Sequence, residues 1–190
     1  MNLITIGFAM CGSFCTFNSV IPQIKTLADA GYKVIPIMSE TAYSTDTRFG
    51  TAESIRQKVV ETSGNSIIHT IPDAEPIGPK KLLDLLIIAP CTGNTLAKMS
   101  NGITDSCVTL AAKAHLRNAR PVLIGVSTND ALSSGAQNIG RLMNNKNIYF
   151  VPMRQDDPNG KPNSLVADFS KIKIAAEAAL NNKQLQPLFT

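Results

Sequence analysis

The sequence predicts a single α/β domain over residues 1–190, with a Rossmann or flavodoxin-like fold. We expect a doubly wound, mainly parallel sheet of about six strands with helices on both faces. Short apolar runs such as Leu-Leu-Ile-Ile at 85–88 are typical of strands that are buried on both faces. Helical patterns separate these runs, and this alternation favours parallel strands joined by right-handed crossovers. A chain of 190 residues is long enough to bury one full core.

Each element follows from a local pattern. The apolar runs predict strands at 3–8, 34–38, 66–69, 85–89, 122–126 and 148–151. Helical patterns cover 12–30, 51–62, 104–118, 136–144 and 166–181. One more helix is expected to start near Thr92 and Asn94, because both residue types are good N-caps. Gly31 should end the first helix, and 39–50, 71–81 and 153–163 should be irregular.

Composition argues against several functional classes. Lysines and arginines are scattered, the net charge is only +4 and aromatic residues are few, so nucleic-acid binding is not expected. No apolar stretch approaches the ~20 residues that a membrane span needs. The apolar N-terminal segment lacks a basic region and a cleavage site, so we expect a first strand and a cytoplasmic protein. The 4 cysteines form no C-x-x-C pair, and with only 2 histidines no metal site is predicted.

The segment Ala89–Asp105, APCTGNTLAKMSNGITD, follows the strand predicted at 85–89. In open α/β sheets, ligands bind beyond the carboxyl ends of the strands. Hydroxyls, an amide and free backbone N–H groups at such a place suit a polar, anionic ligand. Composition alone leaves a second interpretation open, in which this segment is only a capped turn between strand and helix.

The first turn, GFAMCGS at 7–13, carries a second chemical signal. It lacks the G-x-G-x-x-G of a dinucleotide site, and Ser13 stands where a P-loop would have its lysine, which argues against ATP chemistry. Gly12 and Ser13 at a helix N-terminus can still bind one phosphate through backbone N–H groups. We expect these groups and the hydroxyls of Ser39 and Thr92 to surround a phosphate. The alternative is a glycine that serves only a tight turn.

The segment 89–105 resembles the PASANT motif and the following K-x-x-x-G-I-x-D run of the flavoprotein family, the homo-oligomeric flavin-containing Cys decarboxylases. The positions in register are Pro90, Thr92, Asn94, Thr95, Lys98, Gly102, Ile103 and Asp105. Cys91 and Gly93 stand where the family usually has alanine. The resemblance extends from Leu3 to about Pro152, and it implies FMN as cofactor and a trimeric or trimer-based homo-oligomer.

The resemblance also implies which residues bind the flavin. Gly12 and Ser13 match the family's phosphate turn, in which Cys11 replaces a hydroxyl residue. Ser39 and Ala42 match a T-x-x-A pattern near the flavin phosphate and ribityl chain. The implied FMN-binding residues are Gly12, Ser13, Ser39, Thr41, Pro90, Cys91, Thr92, Asn94, Thr95 and Asp105. Phe49 corresponds to a later aromatic residue of the family, and Glu40 is interpreted as a solvated carboxylate.

The family's catalytic histidine has no counterpart here. The H-I-x-L position of the decarboxylases is Pro76, followed by Ile77. His69 is out of register, and His115 is expected on a helix surface. A general acid–base histidine must reach the reacting proton, so no catalytic residue is assigned and decarboxylation of a cysteine peptide is not supported.

Two later loops carry candidate substrate residues. Asn129 keeps the register of the family's P-x-M-N pattern, although its proline and methionine are gone. Residues 127–129 could equally cap a helix. In the polar stretch 153–164, Arg154 and Lys161 could bind the carboxylates of a small dicarboxylate. An ordinary solvated loop is the alternative there.

Within the family, the whole chain is similar to the smaller subunits of a two-subunit oxidoreductase that forms a pyridine dicarboxylate in sporulating cells. That similarity implies a larger partner, the A subunit, which binds NADP. Two alternatives stay open. One is a stand-alone FMN-dependent decarboxylase-like enzyme, and the other is a non-catalytic partner with a vestigial phosphate site.

Overall fold

A computed structural model describes residues 3–190 and places seven strands of this part of the chain in one sheet. The strands are β1 Thr5–Met10, β2 Lys33–Met38, β3 Leu85–Cys91, β4 Val122–Thr128, β5 Ile148–Phe150, β6 Met153–Arg154 and β7 Leu165–Ala167. The first five are parallel in the order β2-β1-β3-β4-β5. β7 pairs antiparallel with the carboxyl end of β4, and β6 pairs antiparallel with β7. The predicted fold class is confirmed, with one strand more than the expected six.

Helices cover both faces of the sheet. They are α1 Phe17–Asp29, α2 Glu40–Ser44, α3 Ala52–Ser63, α4 Ile71–Ala74, α5 Gly93–Ser100, α6 Cys107–Arg117, α7 Ala136–Met143 and α8 Ile172–Leu180. Side chains alternate across β1, so Phe8 packs with α1, α3 and α8, while Ala9 packs with α5, α6 and α7. None of the helices in residues 3–190 is long and apolar enough to cross a bilayer.

The strand order reverses between β1 and β3, and this places two predicted segments side by side. One crossover from β1 leads to β2 on one side, and the next leads to β3 on the other. Such a switch point leaves a crevice at the carboxyl ends of the strands. The Cys11 N–H donates to the Pro90 carbonyl across a distance of 3.2 Å. The first turn and the 89–105 segment therefore border the same crevice.

The strand predicted at 66–69 is reduced to a single bridge, between Ile68 and Ile37. Ile68 exchanges backbone hydrogen bonds with Pro36 and Met38 at 2.9 and 2.8 Å. Thr70 then caps α4, its hydroxyl accepting the Asp73 N–H. The chain leaves the sheet edge too soon for a longer ladder to form.

The last predicted helix starts too early. Residues 165–167 form β7, in which Leu165 and Ala167 are buried and Val166 is partly exposed, a strand alternation. Asp168 then caps a 3-10 turn at Phe169–Lys171, and α8 begins only at Ile172. The expected irregular stretch 153–163 likewise begins with the short strand β6. Both differences arise because β7 is stabilised by pairing with β4, and β6 by pairing with β7, which no local pattern reveals.

The first turn lies later in the chain than predicted, and the predicted start of the first helix at Gly12 is wrong. β1 continues to Met10, and α1 begins at Phe17 after a 3-10 turn at Phe14–Thr16. Gly7 lies inside β1, where a Cβ atom would come within 2.5 Å of a Leu83 methyl group. The P-loop-like glycine spacing therefore reflects strand packing at Gly7. Gly31 has a φ of +89° directly after the last residues of α1, the helix-ending role that was predicted.

Candidate functional site

Two adjoining cavities open at the carboxyl end of the sheet. The first, here called the cap cavity, has a volume of about 460 Å³. It is lined by most of the predicted flavin residues, namely Gly12, Ser39, Thr41, Thr92, Asn94, Thr95 and Asp105. Cys11, Glu40, Lys98 and Ser106 complete its wall. Residues from three separate parts of the sequence therefore meet where the strand order reverses.

Three helix N-termini point their capping residues at the cap cavity. Ser39 caps α2, Thr92 caps α5 and Ser106 caps α6, each hydroxyl accepting a backbone N–H of its own helix at 3.2 or 3.3 Å. Helix N-termini carry partial positive charge and unsatisfied N–H groups. Their convergence favours an anionic group, such as a phosphate, in this cavity.

Side-chain charge contributes little to that attraction. Lys98 lies 2.9 Å from the Asp105 carboxylate. The hydrogen bond from Lys98 lowers the pKa of Asp105. Glu40, in the first turn of α2, adds one further carboxylate. Because the lysine charge is balanced by Asp105, the helix N-termini are the main source of positive potential here.

The predicted anion cluster is assembled in part. The Gly12 N–H makes no hydrogen bond within residues 3–190, and a Cβ at this position would make a tight contact of 3.3 Å with Thr41 Cγ2. The Ser13 N–H instead donates to the Cys11 carbonyl at 2.8 Å. The Ser13 hydroxyl lies 2.7 Å from that of Ser127. Ser13 therefore faces away from the cap cavity, toward its neighbour.

Pro90 and Cys91 belong to the buried strand β3, and their side chains line neither cavity. Burial raises the pKa of the Cys91 thiol well above its usual value, and that of Cys11 to about 11. The buried Thr95 hydroxyl donates to Cys11 Sγ at 3.3 Å. At neutral pH these thiols are protonated core groups, so Pro90 and Cys91 shape the turn instead of presenting side chains to a ligand.

The second cavity, here called the loop cavity, measures about 520 Å³ and shares Gly12 and Thr92 with the first. Its wall includes Ser13, Arg48, Phe49, Ser127, Asn129, Asp156 and Lys161. Asn129 and Lys161 were predicted from the sequence to bind substrate, whereas Arg48 was not. The shared residues mean that ligands in the two cavities would be neighbours.

Arg154 does not line either cavity. It is the second residue of β6, where Met153 is buried and Arg154 is exposed. Successive side chains of a strand point to opposite faces, so Arg154 lies on the exposed face of β6, beside Val166 of β7, but it does not reach the loop cavity that Val166 lines. Lys161 reaches the loop cavity and lies 3.3 Å from the Asp156 carboxylate.

The interpretation of 127–129 as a helix cap is wrong. Ser127 and Thr128 are the last residues of β4, and the next helix along the chain is α7, which begins only at Ala136. Asn129 is exposed directly beyond the strand, with no side-chain hydrogen bond inside residues 3–190. Its amide is therefore available to a ligand in the loop cavity.

The sequence analysis did not identify Asp130 as a residue that shapes the site. Its carboxylate accepts hydrogen bonds from Thr128 at 2.5 Å and Ser134 at 2.9 Å, and the Thr128 bond is the main reason for its lowered pKa. It also packs against Gly93, where a Cβ would lie 2.7 Å from Asp130 Oδ1. The spacing Thr-x-Asp after a strand was the available signal for the Thr128–Asp130 hydrogen bond. The contact of Asp130 with Gly93 could not be predicted, because the two residues are distant in sequence.

Neither histidine lines the two cavities. His69 stacks on Tyr43, with ring centroids 3.7 Å apart. The expectation that His115 lies on a helix surface is wrong, because its exposed fraction is 1%. Its Nε2 lies 3.0 Å from the Pro121 carbonyl, and burial lowers its pKa to about 4. This buried residue has a structural role in the core.

Comparisons with known proteins agree with the resemblance to the flavoprotein family. Residues 1–176 match the family model described as Flavoprotein. The chain is 48% identical to the B subunit of dipicolinate synthase from Bacillus subtilis over 183 residues, which are 96% of this chain and 92% of that protein. The crystal structure of the B subunit of dipicolinate synthase from Bacillus halodurans has 45% identity and a TM-score of 0.91, covering 100% of this chain and 98% of that one.

More distant structures share the fold. The FMN-dependent cysteine decarboxylase SpaF has a TM-score of 0.65 at 21% identity, covering 93% of this chain and 97% of that one. The resemblance to the flavoprotein family and, over the whole chain, to the B subunits of dipicolinate synthase is thereby confirmed. The chain belongs to the flavoprotein family.

Proposed function

We propose that this chain is the smaller subunit of a dipicolinate synthase. Together with the A subunit, it oxidises a dihydrodipicolinate-type intermediate to pyridine-2,6-dicarboxylate during sporulation. The observation that carries the proposal is the 48% identity to the smaller Bacillus subtilis subunit over nearly the whole of both chains. Two adjoining cavities, one suited to a phosphate and one lined by cationic and amide side chains, support it.

The residues of the cap cavity fit the phosphate end of FMN. Three capped helix N-termini and the free Gly12 N–H offer an anion several donors, in addition to Lys98, whose charge is balanced by Asp105. Asn94 lines the same cavity with an amide that can both donate and accept. Bound FMN would supply electron-transfer chemistry, while the chain supplies its position and polar surroundings.

The loop cavity is the proposed dicarboxylate site, with Asn129 and Lys161 among its ligands. When a dihydropyridine ring becomes a pyridine it loses a hydride and a proton. The larger partner would supply NADP+ as the hydride acceptor, since this chain has no dinucleotide turn, and the proton would go to solvent. We propose a cytoplasmic protein and a trimeric or trimer-based homo-oligomer.

Reconstitution tests this proposal. This chain alone, the larger partner alone and the mixture are each supplied with a dihydrodipicolinate source and NADP, and NADPH and pyridine-2,6-dicarboxylate are measured. Only the mixture is expected to turn over rapidly, because neither cavity here contains a dinucleotide turn or a histidine. Rapid turnover by this chain alone contradicts its role within a two-chain enzyme. A mixture no faster than the larger partner alone contradicts a catalytic contribution.

A second candidate is a non-catalytic partner with a vestigial phosphate site. It is favoured by one observation, the buried neutral thiol of Cys11 where the family has a hydroxyl residue. The absorption spectrum of the purified protein distinguishes the two. A yellow protein, or a colourless one that binds added FMN, supports cofactor use. A colourless protein with no affinity for FMN supports the partner role.

A further inference from the structure

A tight turn between α2 and α3 presents Arg48 and Phe49 to the loop cavity. Thr47 and Gly50 exchange backbone hydrogen bonds of 3.0 and 3.1 Å, which close the turn around these two residues. The Asp46 carboxylate accepts the Ala52 N–H at 2.7 Å and so ties the turn to the start of α3. The tip is therefore held in place before any ligand arrives.

The two side chains at the tip form one surface. The Arg48 guanidinium carbon lies 4.9 Å from the centroid of the Phe49 ring. Phe49 is 41% exposed, and both residues line the loop cavity. Arg48 has no carboxylate partner within residues 3–190. An exposed ring beside an unpaired cation suits a planar ring that carries a carboxylate, which can stack on Phe49 and bind Arg48 bidentately.

The loop cavity is also lined by a second cation, Lys161, which lies in a well-connected loop beside the Asp156 carboxylate. The Lys161 N–H donates to the Asp157 carbonyl at 2.7 Å, and the Ser164 N–H donates to the Lys161 carbonyl at 3.0 Å. The Leu132 N–H donates to the Asn163 carbonyl at 2.9 Å, joining this loop to the segment that carries Asn129. Lys161 and Asn129 thus face the cavity from one connected wall.

We propose that the Arg48–Phe49 turn is the specificity element of the loop cavity and selects a planar ring with two carboxylates. The ring stacks on Phe49, one carboxylate binds Arg48, and the other binds Lys161 and the Asn129 amide. This assignment rests on the proposed function, because it specifies how that site distinguishes a dicarboxylate from a monocarboxylate. Arg48 takes the role that sequence reasoning gave to Arg154.

Binding of benzene-1,3-dicarboxylate and of benzoate to the isolated chain tests the assignment by calorimetry. The dicarboxylate copies the geometry of a pyridine-2,6-dicarboxylate without its strong metal chelation. We expect it to bind about tenfold more tightly than benzoate, with Arg48→Gln removing that preference. Phe49→Leu should weaken both ligands by roughly fivefold, since stacking is common to them. Arg154→Gln is the matched control and should change neither affinity.

Several outcomes overturn the proposal. They are an undetectable affinity of the wild type for the dicarboxylate, an unchanged preference in Arg48→Gln, and a loss of preference in Arg154→Gln. FMN titration of the same variants provides a further check, because Phe49→Leu weakening FMN alone would assign the turn to the flavin ring. Thermal unfolding verifies that each variant is folded. Since the larger partner is absent from these titrations, a failed reconstitution and a failed binding test are independent results.

Discussion

At the residue scale, Asn94 is the side chain of the cap cavity whose role can be tested most directly. It is the second residue of α5, it is exposed, and its amide has no hydrogen-bond partner within residues 3–190. Thr92, and not Asn94, is the N-cap of this helix. The sequence left both as capping candidates, and the structure removes capping as a reason for the asparagine. We therefore treat Asn94 as a ligand contact.

Asn94→Asp should weaken FMN binding roughly tenfold or more. The change removes both donor hydrogens of the amide, and an unpaired polar partner costs on the order of 1–3 kcal/mol. It also adds negative charge beside an anionic ligand. The free energy of unfolding should stay the same or rise slightly, because a carboxylate in the first turn of a helix interacts well with the helix dipole. Fluorescence titration with FMN and urea unfolding measure the two quantities.

Asn18→Asp is the matched control for this prediction. Asn18 is also an exposed second residue of a helix, in α1, and it lines neither cavity. The same change there should leave FMN affinity unchanged while affecting stability similarly. Equal FMN affinity of wild type and Asn94→Asp would show that the amide does not contact the flavin.

At the element scale, the junction of β3 and α5 depends on a contact with the loop after β4. Gly93 begins α5. A Cβ atom at this position would lie only 2.7 Å from Asp130 Oδ1 and 2.7 Å from Thr128 Oγ1. The Thr128–Asp130 hydrogen bond holds those two oxygens in place. The N-terminus of α5 can therefore approach the end of β4 only if residue 93 has no side chain. This explains the glycine at a position where the family usually has alanine.

Gly93→Ala should destabilise the protein by about 1–3 kcal/mol, because the methyl group displaces the Asp130 carboxylate from its hydrogen bonds. Gly140→Ala is the matched control inside α7, where a Cβ meets nothing within 4 Å. That change should stabilise by about 0.5–1 kcal/mol, the ordinary preference of a helix interior for alanine. Urea unfolding gives both values.

A double variant checks the origin of the loss. In an Asp130→Ala background, the destabilisation caused by Gly93→Ala should become smaller, since the carboxylate that clashes is gone. The same loss in both backgrounds would mean that the strain arises from another contact, such as the one with Thr128 Oγ1.

At the scale of the whole molecule, the burial of His115 connects stability to pH. His115 lies on α6 against the sheet, with an exposed fraction of 1% and its Nε2 near the Pro121 carbonyl. Burial holds its pKa at about 4, below the ordinary value of 6.5. Between these values the unfolded chain binds a proton that the folded protein does not, so the folded state loses stability as pH falls.

Stability should therefore fall by up to about 3 kcal/mol from His115 alone as pH falls from about 6.5 to about 4. His115→Gln keeps a donor for the Pro121 carbonyl but does not titrate, so its stability should depend less on pH in this range. Urea unfolding at pH 7, 5.5 and 4.5 measures the difference. Asp105, Asp130 and Asp156, whose pKa values are lowered, contribute equally to wild type and variant, so the difference between the two proteins reports His115. Parallel curves for wild type and variant would contradict the prediction.

The sequence by itself determined the alternation of strands and helices, the turn at 89–105 with Thr92 and Asn94 as capping candidates, and the end of α1 at Gly31. These features depend on apolar periodicity, capping and glycine conformation, which act over a few neighbouring residues. The family motif also pointed to the residues that line the cap cavity. For the residues at 92–105 a motif was sufficient, because it is nearly continuous in sequence.

Only the tertiary structure decided the remainder. β7 exists through pairing with β4, and β6 through pairing with β7, while Arg154 lies on the exposed face of β6 without lining either cavity. Arg48 and Lys161 face one cavity, although more than a hundred residues separate them in the chain. His115 is buried because α6 packs that face on the sheet. In each case the outcome depends on which distant surface covers a side chain, and spacing along the chain carries no information about that surface.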